Sequence, residues 1–206
     1  MADVWTKLCG CTSWSDVAMA LDAGADAFGM IFAPSPRRIA PDAAGDIARR
    51  VPEQITPVAV FVDPSRDDVD AVQALFPRAL LQFSGDESPE FVGRYGDRAI
   101  KALHIGASWG PIAQRATQYA DALVLLDCAH AGLAGGTGKT FDWEDAAELA
   151  AIRRVIVAGG LTPENVGACL DSARPFGVDV RNGIETAGRK DPQKMHAFVQ
   201  AVRKWR

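Results

Sequence analysis

Eight short runs rich in Val, Ile, Leu and Ala recur along the 206 residues, each followed by a polar turn and a stretch of helical period. They are Val4–Cys9, Ala27–Phe32, Thr56–Val62, Ala79–Phe83, Ala99–Ile105, Ala122–Cys128, Arg154–Ala158 and Gly177–Val180. Their starts lie 23, 29, 23, 20, 23, 32 and 23 residues apart, the length of a strand, a loop, a helix and a second loop each time. No composition break or low-complexity linker interrupts the repeat, so residues 1–206 read as one domain. The simplest closure of eight such units is a single-domain (β/α)8 TIM barrel of eight parallel strands. An open doubly wound sheet would commonly announce a nucleotide with G-x-G-x-x-G after its first strand, whereas here that strand runs into Cys9-Gly10-Cys11-Thr12.

The helices carry start signals of their own. Ser13-Trp14-Ser15-Asp16 and Ser65-Arg66-Asp67-Asp68 fit capping boxes, in which a hydroxyl satisfies an orphan N–H of the first turn. Thr162-Pro163 and Asp191-Pro192 put proline at a first helical position, where its missing donor costs nothing. Met195, Phe198, Val199 and Val202 fall at i, i+3, i+4 and i+7 and predict a helix lying against the core.

Composition narrows the partners. With 22 Lys+Arg against 26 Asp+Glu, the net charge of −4 and the lack of a long basic run argue against nucleic acid. A small anionic ligand needs only a few local donors and stays open. The apolar runs are far shorter than the roughly 20 residues of a membrane helix, and the first residues lack a signal core, so a cytoplasmic protein with no membrane partner is expected. Cys9, Cys11, Cys128 and Cys169 are too few and scattered for a disulfide scaffold. A monomer and a homodimer are both compatible with these features.

In a barrel, chemistry gathers where strands end at the C-terminal rim. The two longest spacings follow strands two and six and carry Ala33-Pro34-Ser35-Pro36-Arg37-Arg38 and the glycine-rich 132–140 segment, expected as a wall and a lid. Gly138-Lys139-Thr140 lacks the earlier glycine of a phosphate loop, since Leu133 occupies that place. Ala158-Gly159-Gly160 after strand seven and Arg181-Asn182-Gly183 after strand eight could be two plain tight turns, but glycine lets backbone N–H groups come close to an anion, and both motifs at those two strands favour a phosphate site. Arg181 is available for a charge-assisted contact or for solvent, and the sequence does not choose.

Alternation puts Lys7 and Cys9 on one face of strand one, and Leu123, Leu125 and Asp127 on one face of strand six. A thiol and a carboxyl facing each other across the barrel mouth suit proton shuttling if Lys7 lowers the thiol pKa and partial burial keeps the carboxyl protonated. Singly, Cys9 reads as an inert core thiol and Asp127 as a loop cap. Cys9-Gly10-Cys11 makes a weak metal site, because Cys128, Cys169, His104, His130 and His196 show no ligand pairing. His130, in the loop after strand six, is a candidate substrate contact or a solvated side chain.

Taken together, these residues resemble the phosphoribosylanthranilate isomerases. Lys7-Leu8-Cys9-Gly10 matches that family's opening motif, Ser35-Pro36-Arg37 its second loop, and Gly135-Gly136-Thr137-Gly138 with Phe141-Asp142-Trp143 its sixth loop. Ala158-Gly159-Gly160-Leu161, Pro163-Glu164-Asn165-Val166, Gly177-Val178-Asp179-Val180 and Lys190-Asp191 carry the match to the end of the chain. The resemblance implies an Amadori rearrangement of N-(5′-phosphoribosyl)anthranilate to 1-(2-carboxyphenylamino)-1-deoxyribulose 5-phosphate, with no metal or organic cofactor. It implies Asp127 as general acid, Cys9 as the base acting as thiolate, and Arg37 as the anthranilate-carboxylate holder. Lys7 and Gln82 join the substrate-binding set, and Gly159, Gly160, Arg181, Asn182 and Gly183 hold the phosphate.

The chain departs from the family at two places. Gln82-Phe83-Ser84-Gly85 stands where Gln-Leu-His-Gly is common, and Arg181-Asn182-Gly183 where Ser-Ser-Gly is common. Another aminoaldose–ketose isomerase of the same barrel, such as that of histidine synthesis, and a non-catalytic phosphate-ligand-binding paralogue are the alternatives. Paired aspartates would be expected of that isomerase, whereas strand one here ends in cysteine.

Overall fold

The computed structural model describes residues 4–105, 110–127 and 143–205. Strands and helices alternate as β1 (Trp5–Cys9), α1 (Trp14–Asp22), β2 (Ala27–Ile31), α2 (Pro41–Arg50), β3 (Thr56–Phe61), α3 (Arg66–Leu75), β4 (Leu80–Phe83) and α4 (Pro89–Gly93). The second half runs β5 (Ala99–His104), α5 (Gly110–Thr117), β6 (Leu123–Asp127), α6 (Trp143–Ala150), β7 (Val155–Ala158), α7 (Val166–Ala173), β8 (Gly177–Val180) and α8 (Pro192–Lys204). Each strand pairs in parallel with the next, and β8 returns to β1 with Trp5 opposite Gly177 and Leu8 opposite Val180. The expected barrel is therefore closed. Observed strands begin or end about one residue inside most of the apolar runs, within the one- or two-residue spread with which element ends are defined.

Strand alternation divides the buried side chains into two cores. Leu8, Phe28, Met30, Ala59, Phe61, Leu81, Phe83, Leu103, Val124, Leu126 and Val157 face outward and pack under the helices. Cys9, Ala27, Ile31, Val58, Val60, Ile100, Ala102, Leu125, Ile156 and Ala158 fill the barrel itself. The stripe of α8 behaves as its spacing requires: Met195, Phe198, Val199 and Val202 are all buried, with α8 against α1, α7 and β1. Truncating a buried aromatic such as Phe198 to alanine costs about 3–5 kcal/mol in transfer and cavity energy.

Both capping boxes form, Ser13 with Asp16 and Ser65 with Asp68, and Asp191 caps α8 with Pro192 at its first position. Pro163 differs from expectation. It lies in a turn, and α7 begins three residues later at Val166. The cause is Asn165, whose Oδ1 accepts from the Thr162 N–H at 2.8 Å while its Nδ2 donates to the Gly160 carbonyl at 3.0 Å. These bonds hold residues 162–165 as a turn and brace the loop after β7.

Candidate active site

The inward side chains of the strand ends enclose a cavity of about 340 Å³ at the C-terminal mouth of the barrel. Cys9 from β1 and Asp127 from β6 both line it, as do Gln82, Ser84, His104, Asp179, Gly159, Gly160, Arg181, Asn182 and Gly183. Lys7 and Arg37 are not among the lining residues; Lys7 contacts two that are, Gln82 and Asp179, and Arg37 is paired with Glu185.

Lys7 is fully buried beneath the cavity floor, where its Nζ donates to Gln82 Oε1 at 2.8 Å and to Asp179 Oδ2 at 3.0 Å. Burial alone would lower the pKa of this ammonium, but Asp179 and the adjacent Cys9 hold it above the ordinary lysine value. Gly29 makes the close approach of β2 possible: a Cβ there would lie 2.6 Å from Cys9 Sγ and 3.0 Å from Lys7 Cε. The expected lowering of the Cys9 pKa is not the net result. Lys7 and Lys190 favour thiolate, yet burial outweighs them and, with Asp179, pushes the thiol above its usual range. The net effect favours the protonated thiol of Cys9 at neutral pH.

Asp179 is 8 % exposed, and its Oδ1 has no hydrogen-bond partner among the described residues. A buried carboxylate oxygen of this kind costs free energy until a donor reaches it, which a ligand hydroxyl in the cavity would do.

Across the mouth, β5 and β6 run in register with His104 opposite Asp127. His104 Nδ1 lies 3.6 Å from Asp127 Oδ2, and its Nε2 lies 3.0 Å from the Ser84 carbonyl oxygen. Asp127 raises the histidine pKa above its ordinary value against the opposing effect of partial burial.

The glycine ledge sits where β7 and β8 end. Gly159 and Gly160 have φ of 92° and 69°, so their backbone bends in a way that side chains oppose. Gly183 is the middle residue of a 3-10 turn (Asn182–Ile184), so close to the neighbouring loop that an added Cβ would overlap the Leu161 carbonyl oxygen. Arg181 Nε is turned towards Asn182 Oδ1 at 3.3 Å, on the exposed side of the ledge.

Arg37 is held by Glu185, with Nε to Oε1 at 2.8 Å and the second guanidinium nitrogen to Oε2 at 2.5 Å. Glu185 also accepts from Lys190 at 2.9 Å. The guanidinium is thus oriented by a two-point pair, with its side chain one-quarter exposed.

Sequence reasoning missed three members of this arrangement: Asp179, His104 and Glu185. The first two carried a signal, because the alternation that aimed Asp127 inward puts His104 on the same face as Ile100 and Ala102, and Asp179 on the face between Gly177 and Arg181. Cys128, His130 and the 132–140 segment lie outside the described residues.

Known proteins resemble this chain in sequence and in fold. Residues 6–201 match the family model described as N-(5′-phosphoribosyl)anthranilate (PRA) isomerase. The chain is 44 % identical over 197 residues to the N-(5′-phosphoribosyl)anthranilate isomerase of Desulforudis audaxviator, covering 96 % of this chain and 97 % of that one. It is 42 % identical over 202 residues to that of Moorella thermoacetica, covering 98 % and 90 %. A crystal structure of the Thermotoga maritima phosphoribosylanthranilate isomerase is similar with a TM-score of 0.86 at 33 % identity, covering 97 % of this chain and 98 % of that one. A phosphoribosylanthranilate isomerase crystallised with reduced 1-(o-carboxyphenylamino)-1-deoxyribulose 5-phosphate is similar with a TM-score of 0.84 at 31 % identity and the same coverage. The matching family model, spanning nearly the whole barrel and its rim, places this chain in the N-(5′-phosphoribosyl)anthranilate isomerase family.

Proposed function

We propose that the chain catalyses the rearrangement for which its family is named, with Asp127 as acid and Cys9 as base. The observation that carries the reading is one cavity lined by a thiol from β1, a carboxyl from β6 and a glycine ledge after β7 and β8. The Amadori reaction needs one proton delivered to the furanose oxygen and one removed from the neighbouring carbon. A thiol and a carboxyl on opposite sides of a bound sugar match that demand.

Asp127 gives its proton to the ring oxygen as the C1–O bond breaks, and the anthranilate nitrogen supplies the electron pair that forms the imine. Cys9, as thiolate, takes the proton from C2, and the electrons of that C–H bond close the enolamine. The enolamine becomes the ketone by losing its hydroxyl proton and gaining one at C1. Proton transfer completes the reaction, and no metal or organic cofactor is required. Burial favours the Cys9 thiol, so the thiol has to ionise for this step, and the Lys7 and Lys190 ammonium groups are the charges that favour the thiolate.

Binding energy comes from the ends of the substrate. Backbone N–H groups of Gly159, Gly160, Asn182 and Gly183, with the Arg181 guanidinium, suit the phosphate dianion. Arg37, aimed by Glu185, suits the anthranilate carboxylate. Gln82 and Asp179 Oδ1 offer partners for ribose hydroxyls, while Lys7 contributes from below by holding both of them in place. Anchoring both ends holds C1 and C2 between acid and base. The relative crystallised with the reduced product analogue supports a ligand of this size and charge. One of this chain's own features, the thiol ending β1, favours it over a histidine-pathway substrate.

The test is to mix the purified protein with freshly formed N-(5′-phosphoribosyl)anthranilate and follow loss of its fluorescence, alongside rescue of a tryptophan auxotroph lacking this isomerase. Conversion and rescue support the reading. Binding without conversion would instead support the non-catalytic alternative.

A further inference from the structure

Lys101 and Glu87 form a buried ion pair that the reaction described above does not use. Their side chains are 0 % and 3 % exposed and meet at 2.6 Å. On β5, Lys101 alternates with Ile100 and Ala102, which fill the barrel, so its side chain runs outward beneath the loop after β4. Taking two charges out of water is costly, and an apolar pair of the same volume commonly fills such a space with no loss of stability. The reason for the charges therefore lies in what they hold.

They hold the backbone around Ser84. Lys101 Nζ donates to the Gly85 carbonyl at 2.6 Å and lies 3.5 Å from the Phe83 carbonyl oxygen, so it grips the residues on either side of Ser84. Glu87 accepts from the Gly85 N–H at 3.1 Å and, from the loop after β3, from the Asp63 N–H at 3.0 Å. Asp63 Oδ1 accepts in turn from the Asp86 N–H at 2.7 Å, and an added Cβ on Gly85 would overlap the Asp63 carboxylate. The loops after β3 and β4 are thus one cross-tied unit. Tyr119 adds a further tie, its hydroxyl donating to the Glu87 carbonyl at 2.8 Å.

Ser84 carries this order to the cavity. Its Oγ accepts from Gln82 Nε2 at 3.1 Å, while Gln82 Oε1 accepts from Lys7 at 2.8 Å, and both Gln82 and Ser84 line the cavity. A planar amide held at its oxygen and at one N–H keeps a single orientation, and its second N–H is the donor left for a ligand. We infer that Lys101 and Glu87 are positioning residues for the substrate: through the backbone of Ser84 they fix the Gln82 amide that meets a ribose hydroxyl. The inference deepens the function proposed above and rests on it for the identity of the ligand. Neither residue is among those lining the cavity; the pair steadies one end of the amide and Lys7 the other.

The test separates holding the wall from holding the fold. In Lys101→Met/Glu87→Leu both charges go together, which strands no buried ion and commonly preserves stability. KM should rise roughly tenfold with kcat within about threefold of wild type, because a hydroxyl contact is lost from bound substrate and transition state alike. Ser84→Ala should raise KM by a similar factor, and combining it with the pair replacement should add about twofold at most, since both break one chain of contacts. Hydrogen exchange read by NMR needs no substrate. The Ser84 N–H, bonded to the Phe61 carbonyl, and the Gln82 side-chain amide touch neither Lys101 nor Glu87. Both should exchange roughly tenfold faster or more in the double variant, while amides of β7 and β8 exchange as in wild type. Glu87→Gln, which keeps the shape and removes one charge, is read in the same way and covers a double variant that fails to fold. A wild-type KM, or unchanged exchange at Ser84 and Gln82, would overturn the inference. Full additivity with Ser84→Ala would overturn it too, and so would equal acceleration in β7 and β8, which would mark the pair as a support of the fold alone. If the wild type fails to turn over the substrate, the reaction assigned above falls, and the exchange rates still decide whether the pair holds the Gln82 amide.

Discussion

Lys190 reaches back to the end of β1, where its ammonium donates to the Cys9 carbonyl oxygen at 2.5 Å, across 181 positions of sequence. The same nitrogen bonds the Arg181 carbonyl at 3.2 Å and Glu185 Oε1 at 2.9 Å. One buried ammonium therefore ties the backbone of Cys9 to the loop after β8 and to the carboxylate that orients Arg37.

This makes Glu185 a joint support. Glu185→Gln keeps the shape but removes the charge from between Lys190 and Arg37, and Lys190 is only 2 % exposed. Breaking a buried pair by neutralising one partner costs about 3–5 kcal/mol. At roughly 2–4 °C per kcal/mol for a domain this size, the melting temperature should fall by about 6 °C or more. KM should rise as well, because the Arg37 guanidinium loses its two-point orientation. Thermal unfolding and steady-state kinetics check both; a variant with wild-type Tm and KM would show the pair to be incidental.

Cys9→Ser and Asp127→Asn each remove one proton-transfer group and leave the ledge alone. Each should lower kcat by about 10²- to 10⁴-fold, the usual worth of a general acid or base. Inorganic phosphate, as a competitive inhibitor or by calorimetry, should bind nearly as well as to the wild type. A wild-type kcat in either variant would reject that residue's role.

The barrel was legible because one period, strand plus helix, repeats eight times, and because alternation within each strand fixes which side chains enter the core. Cys9 and Asp127 followed from that alternation. His104 is as visible, two positions beyond Ala102 on the same face of β5. Glu185 was not legible. It belongs to a short ribbon (Glu185–Thr186 with Arg189–Lys190) that has no strand-like pattern in sequence, and its partner Arg37 lies 148 positions away. The direction of the Cys9 pKa was also beyond sequence, since it depends on how far burial outweighs Lys7, a balance set by three-dimensional packing.

Two glycines separate close approach from mere tolerance. In Gly183→Ala the added methyl would overlap the Leu161 carbonyl oxygen, so the two ledge loops must part. Phosphate affinity should drop by roughly tenfold or more, the equivalent of about 1.4 kcal/mol. Gly167 lies in α7 with nothing within 4 Å of its added Cβ, and alanine there should instead raise stability by about 0.8–1 kcal/mol through helix propensity. Isothermal titration with phosphate and denaturant unfolding of the two variants read the contrast. Unchanged phosphate binding in Gly183→Ala would mean that the ledge does not hold the anion.

Cys169, sealed under α7 in the outer core, gives the fold an alkaline limit. Burial pushes its thiol from an ordinary value of 9.0 up to about 12. Below pH 9 the folded and unfolded chains both hold this proton, so the full contribution is present there. Between 9 and 12 the unfolded chain releases it while the folded chain retains it, and stability falls by about 1.4 kcal/mol per pH unit. From pH 8 to pH 11 the wild type should lose about 2–3 kcal/mol more than Cys169→Ala, which has no proton to lose. The cavity left by the substitution is the same at both pH values and cancels in the difference. Urea unfolding of both proteins at the two pH values, under reducing conditions, measures it; equal losses would show that water reaches the thiol in the folded state.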